Sequence, residues 1–140
     1  MYNAMNILVI DGQGGKLGAQ LIREIAARFP EASIMAVGTN SIAAAAMIKA
    51  GATAAATGEN AVVVACRRAN VIIGPIGIVI ADAMHGEVTP AMAAAAGQSD
   101  AVRILLPVNR CDNIIAGVAE QPVSALIDDA LTRLAQVFSS

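Results

Sequence analysis

The chain has 140 residues, of which 56% are hydrophobic, 14% charged and 2% aromatic, and its formal net charge is −2. That length suits one domain, residues 1–140, with a real core, and a slightly acidic chain almost without aromatic rings lacks the basic face or stacking platform that nucleic acid requires. The best apolar run, Ala69 to Ala81, is thirteen residues broken by Gly74-Pro75-Ile76-Gly77, short of the roughly 20 needed to span a bilayer, and no basic then apolar leader opens the chain, so a cytoplasmic protein that avoids membranes is expected.

Asn6 to Gly18 reads as strand, glycine turn and helix. Gly12, Gly14, Gly15 and Gly18 fall within seven residues, which permits positive φ and a close ligand approach, and the following helix aims unpaired backbone N–H groups at the turn. That makes a site for an anion, most often phosphate. The spacing fits Gly12-x-x-Gly15-x-x-Gly18 or Gly12-x-Gly14-x-x-x-Gly18; the strict dinucleotide fingerprint would need Gly where Leu17 stands.

A helix over 16–29 follows, with Leu17, Leu21, Ile22, Ile25, Ala26 and Phe29 on one face, and Pro30 ends it. Ser33 to Val37 is a second strand, Asn40 or Ser41 caps an alanine-rich helix from Ile42 to Ala50, and Gly51 stops that helix. Ala52 to Ala56 is a short third strand. Glu59 to Arg68 reads as a helix in spite of Val62-Val63-Val64, because a parallel sheet needs a crossover before the apolar strand Val71 to Gly74. Gly74 to Gly77 is expected to turn into another apolar helix ending at His85-Gly86. Thr89-Pro90 starts a helix that runs to Ala96 and is closed by Gly97. Arg103 to Pro107 is the fifth strand and Asn113 to Gly117 a sixth. The closing helix, Pro122 to Phe138, keeps a helical apolar period and pairs Asp129 with Arg133 across one turn.

Continuous apolar strands joined by helices imply an α/β fold: a Rossmann-like, doubly wound, mainly parallel sheet of five or six strands with helices on both faces. Ligands of such sheets bind outside the carboxyl ends of the strands. Five turns supply polar or glycine residues there: Asp11 to Lys16, Thr39 to Ser41, Thr57 to Asn60, Gly74 to Gly77, and Asn109 to Cys111. The candidate binding residues are therefore Gly12, Gly14, Gly15, Lys16, Thr39, Asn40, Ser41, Asn60, Gly74, Gly77 and Asn109. Each turn alone has a plainer explanation, since glycines stop helices and Ser and Asn cap them; their convergence on one crevice is what points to a site.

The landmarks Asp11-Gly12-Gln13-Gly14-Gly15, Val37-Gly38-Thr39-Asn40-Ser41, Thr57-Gly58-Glu59-Asn60, Gly74-Pro75-Ile76-Gly77, Gly86-Glu87-Val88-Thr89-Pro90 and Gly97-Gln98-Ser99 resemble those of a family of small bacterial Rossmann-like proteins catalogued as a domain of unknown function. The resemblance covers nearly the whole chain and implies the fold, with no activity attached. A local likeness to the nucleotide loop of NAD(P)-dependent dehydrogenases and epimerases stops after Gly18. The next part of that pattern is an acid for the ribose of NAD, or an arginine for the 2′-phosphate of NADP. Gly38-Thr39-Asn40-Ser41 has neither. The expected cofactor is thus a nucleotide or dinucleotide with no strong NAD or NADP preference. Walker A is excluded because Lys16 is followed by Leu17.

Candidates for catalysis are Asp11, Glu59 and Cys111, each with a structural alternative: turn formation for Asp11, a favourable first-turn charge for Glu59, and a plain loop thiol for Cys111, which lacks a second histidine to activate it. His85 reads as a charge at a helix end, Asp82 and Glu87 as solvent or capping residues, and Cys66 as a small buried hydrophobe. No metal-ligand spacing is present. Two function classes remain. One is a protein that holds a nucleotide or phosphorylated metabolite at the glycine loop; whether it is an enzyme is open. The other is a non-catalytic structural or regulatory subunit. In both, the apolar surplus predicts a homo-oligomer.

Overall fold

A computed structural model of the chain describes residues 5–108, 110 and 112–139. Strands β1 (Asn6–Asp11), β2 (Ser33–Gly38), β3 (Ala54–Thr57), β4 (Val71–Pro75) and β5 (Val102–Leu106) form one all-parallel sheet in the order β3-β2-β1-β4-β5. Helices α1 (Lys16–Arg28), α2 (Ser41–Lys49), α3 (Glu59–Arg68), α4 (Pro90–Gln98) and α5 (Val123–Ser139) alternate with them. This is a Rossmann-like α/β architecture. From central β1 the chain winds outward through β2 and β3, then crosses to β4 and β5 on the other side. The connection reverses between β1 and β4, and the crevice of such a sheet opens there, beyond the strand carboxyl ends.

The strands are apolar throughout because alternate residues serve different clusters. Ile7 and Val9 pack with Leu21, Ile22 and Ile25 of α1, Met47 of α2, and Leu131 and Leu134 of α5. Leu8 and Ile10 pack with Val62 and Cys66 of α3 and with Met92 and Ala96 of α4. Successive strand side chains point to opposite faces. Burying one Ile or Leu contributes roughly 1.5–3 kcal/mol, so a strand that buries both faces, as β1 does, anchors the sheet.

Local signals explain the helix starts. The Asn40 side chain accepts the Ala43 N–H at 2.8 Å to cap α2, and Thr89 accepts the Met92 N–H at 3.1 Å to cap α4, with Pro90 in the first turn. Asp129 and Arg133 pair at 2.9 Å on α5, while Arg28 of α1 reaches Asp128 of α5 at 3.0 Å. Both pairs are exposed, so solvent screens them and they add little to stability. Among the described residues no helix is long and apolar enough to cross a membrane.

Three expectations are corrected. Residues after Gly77 do not form an α-helix: a short 3-10 turn, Ile76–Val79, leads into consecutive turns in which Asp82, Met84, His85 and Gly86 have positive φ. The β-branched run Ile78-Val79-Ile80 is a weak helix former, and α4 already supplies the crossover from β4 to β5. His85 is therefore an exposed turn residue, not a helix-end charge. Residues Asn113 to Gly117 form no strand; Ile114 is 95% exposed there and pairs with no sheet edge. Gly97 lies inside α4, which ends one residue later, where extended Ser99 turns its hydroxyl onto the Cys66 carbonyl at 2.8 Å.

Candidate functional site

Asp11 closes β1 and is the one buried charged residue among those described, 3% exposed. Its two carboxylate oxygens accept the Gly12 N–H at 2.8 Å and the Gly18 N–H at 2.7 Å. The carboxylate thus straps the glycine turn from below and fills one donor position of the first turn of α1. Burial pushes its pKa up against those two hydrogen bonds, and the nearby Glu87 charge adds to the rise.

The turn itself is closed by the Gly15 N–H bonding the Gly12 carbonyl at 2.9 Å. Gly15 caps α1 with φ 73, and a Cβ there would lie 2.7 Å from the Ala43 Cα of α2. Glycine at this position is needed for the left-handed backbone and for contact with α2. Gly14 differs. Among the described residues nothing lies within 4 Å of its would-be Cβ, so their packing does not require a bare backbone there. Among the described residues the N–H groups of Gly14, Lys16 and Leu17 have no hydrogen-bond partner, and Lys16 is exposed beside them.

The decisive residue of the crevice is Glu87, in the connection from β4 to α4. Its Oε1 accepts three hydrogen bonds at 2.8 Å each, from the Gln13 N–H of the glycine turn, the Thr39 hydroxyl at the end of β2, and the Asn40 side-chain amide. The same amide also donates to the Gln13 carbonyl at 2.9 Å. Burial pushes the Glu87 pKa up, but the Gln13, Thr39 and Asn40 hydrogen bonds and the His85 charge outweigh it and hold the carboxyl below the usual glutamate value. Glu87 is therefore an ionised, half-buried carboxylate that joins three loops across the β1/β4 reversal. Over Gly12 the space is filled by Thr39, Met84 and Glu87, whose atoms would lie 2.5–3.0 Å from an added Cβ.

Residues 6–139 match the family model DUF3842, described as a domain of unknown function. The chain belongs to that family. No curated protein matches it.

In this DUF3842 chain the remaining sequence candidates are placed as follows. Thr39 and Asn40 hold Glu87, and Ser41 is the exposed first residue of α2. Asn60 lines a separate groove of about 550 Å³ under α3, with Asn6, Met35, Thr57 and Arg68, away from the Glu87 hydrogen bonds. Gly74 lies in β4, where a Cβ would press on the Ile10 carbonyl, so its bareness serves strand packing; Gly77 is buried in the 3-10 turn. Glu59 accepts the Thr89 hydroxyl at 2.6 Å and ties the start of α3 to that of α4. Asn109 and Cys111 lie outside the described residues.

Reading Glu87 as a solvent or capping residue missed its role. A signal existed: once β4 is placed next to β1, the loop after β4 must border the glycine turn, and Asp82 and Glu87 are the two acids of that loop.

Proposed function

We propose that the crevice binds a nucleotide or phosphorylated metabolite. The observation that carries this is the Glu87 carboxylate, fixed by three donors beside a glycine turn whose Gly14, Lys16 and Leu17 N–H groups have no partner among the described residues. Phosphate sits against those N–H groups and Lys16, at the open face of Gly14 and at the positive end of α1. Gly12 and Gly15 shape the turn, and Thr39, Asn40 and Ser41 border the sugar. The two carboxylates, Asp11 and Glu87, keep the phosphate at the Gly14 end of the crevice.

The protein acts in the cytoplasm as a homo-oligomer, taking a small molecule and neither nucleic acid nor membrane. Exposed Ile42, Ile48, Val102 and Ile114 are the apolar surface that copies of the chain would cover. A calorimetric panel of mononucleotides, NAD, NADP and sugar phosphates tests the ligand reading. Binding should appear for the wild type and vanish in Gly14→Val, while exposed Arg23→Ala leaves it unchanged.

A second reading, a structural or regulatory subunit with a closed crevice, is favoured by one observation: Asp11 and Glu87 already occupy the Gly12, Gln13 and Gly18 N–H groups. It is preferred if no ligand of the panel binds at millimolar concentration and Gly14→Val associates with itself as the wild type does.

A further inference from the structure

The dinucleotide pattern places a carboxylate at the end of the second strand, where it accepts both hydroxyls of a ribose. Here that position is Gly38-Thr39-Asn40-Ser41, without an acid. We propose that Glu87, reaching in from the β4 to α4 connection, takes over this task, so that the crevice selects ligands with a free vicinal diol beside their phosphate and rejects those whose diol is itself phosphorylated. This rests on the ligand reading of the preceding subsection and names the class of ligand it admits.

Three features carry the assignment. The first is position. Glu87 Oε1 bonds Gln13, the residue before open Gly14, and Thr39, the residue after β2. Its carboxylate therefore stands between the phosphate end of the crevice and the tip of β2, where the sugar of a bound nucleotide lies in this architecture. The second is free acceptor capacity. All three hydrogen bonds fall on Oε1, and among the described residues Oε2 receives none. An ionised carboxylate offers about four acceptor sites on its two oxygens, so the diol meets an oxygen that the protein has oriented and left unused.

The third is rigidity. The flanking residues Met84 and Val88 are buried, and the segment bonds to itself through the Asp82 N–H to the Val88 carbonyl at 2.7 Å and the Val88 N–H to the Ala83 carbonyl at 3.1 Å. Met84 and His85 are held in left-handed backbone within it, a conformation that persists in non-glycine residues only where the surroundings enforce it. The carboxylate is thus placed before a ligand arrives. A 2′-phosphate would bring further negative charge against Glu87, with the Asp11 carboxyl close behind, and among the described residues no arginine bonds Glu87 to offset it.

The test is calorimetry on the full chain with adenosine 5′-monophosphate, its 2′-deoxy analogue and adenosine 2′,5′-bisphosphate, for the wild type, Glu87→Gln and Glu87→Ala, each confirmed folded by thermal melting. The wild type should prefer the free diol over both analogues by about tenfold or more, as expected for a hydrogen-bonded charged acceptor. Glu87→Gln and Glu87→Ala should bring the diol and deoxy affinities to within about threefold of each other and should bind the bisphosphate more tightly than the wild type does. Equal wild-type affinity for diol and deoxy ligands, or discrimination that survives in both variants, overturns the role of Glu87; if Gly14→Val still abolishes that binding, the phosphate site stands without it. Failure of the wild type to bind any of the three ligands, or any of the wider panel, removes both readings together.

Discussion

Replacing Gly15 and Gly14 by alanine should have opposite consequences although the two residues are adjacent. At Gly15 the backbone is left-handed, φ 73, and the new Cβ would sit 2.7 Å from the Ala43 Cα and 2.8 Å from its carbonyl oxygen, both backbone atoms of the first turn of α2. Left-handed backbone costs a non-glycine residue about 1–2 kcal/mol. Moving the start of α2 away adds an overpacking cost of about 1–3 kcal/mol, so Gly15→Ala should lose roughly 2–5 kcal/mol. At Gly14 the Cβ meets nothing within 4 Å among the described residues, and φ lies outside the left-handed range. Gly14→Ala should change stability by less than about 1 kcal/mol, with a gain favoured because alanine restricts the unfolded chain. For a domain of this size 1 kcal/mol moves Tm by roughly 3–5 °C. Differential scanning calorimetry should then show Gly15→Ala melting roughly 6–25 °C below wild type and Gly14→Ala close to it. If Gly15→Ala melts with the wild type, the close contact between the glycine turn and α2 is wrong, and the geometry argued for the crevice goes with it.

Asp11→Asn should cost about 1–3 kcal/mol in urea unfolding, because an amide offers one oxygen where the Gly12 and Gly18 N–H groups need two, and one donor is left buried without a partner; an unchanged midpoint would show that Asp11 does not strap the turn. The Glu87 pKa is held below its unfolded value of about 4.3, so its contribution to stability is fully present at pH values well above 4.3 and is lost as pH falls through the lower folded value. The stability difference between wild type and Glu87→Gln should therefore shrink on acidification below about pH 4. Asp11, whose pKa is raised chiefly by burial and in lesser part by the Glu87 charge, titrates with the opposite sign, and only the burial part is common to both proteins; a difference that grows with acid would contradict the hydrogen-bonded carboxylate. Burial pushes the Cys66 thiol up to about 11, so native protein at pH 8 should alkylate there at least about 100-fold more slowly than unfolded protein; rapid native labelling of Cys66 would place it at the surface. Light scattering behind size exclusion should find a dimer or larger assembly at micromolar concentration, and a clean monomer would leave Ile42, Ile48, Val102 and Ile114 exposed without a partner.

Much of the fold is legible in the chain because its signals are local. Helix α3 is readable residue by residue, Glu59–Arg68, since parallel strands force a crossover before Val71 whatever the propensity of its three valines. The Asn40 and Thr89 caps, the Pro90 start and the amphipathic period of α5 are likewise written in neighbouring residues. The glycine turn declares itself in the same way, by spacing alone. The segment after Gly77 could not be read so, because its apolar residues Ile78, Ala83, Met84 and Val88 are buried by tertiary contact and follow no helical period. Asn113 to Gly117 has the apolar character of a strand, yet it does not add to the outer edge of β5 and stays irregular. The site divides along the same line. Gly12, Gly14, Gly15 and Lys16 are close in sequence and were visible together. Glu87 lies 74 residues from Gln13 and 48 from Thr39, and three hydrogen bonds to one oxygen are a property of where β4 sits beside β1. Sequence order carries local backbone preference; only the packed sheet brings a distant carboxylate to the turn and sets its charge.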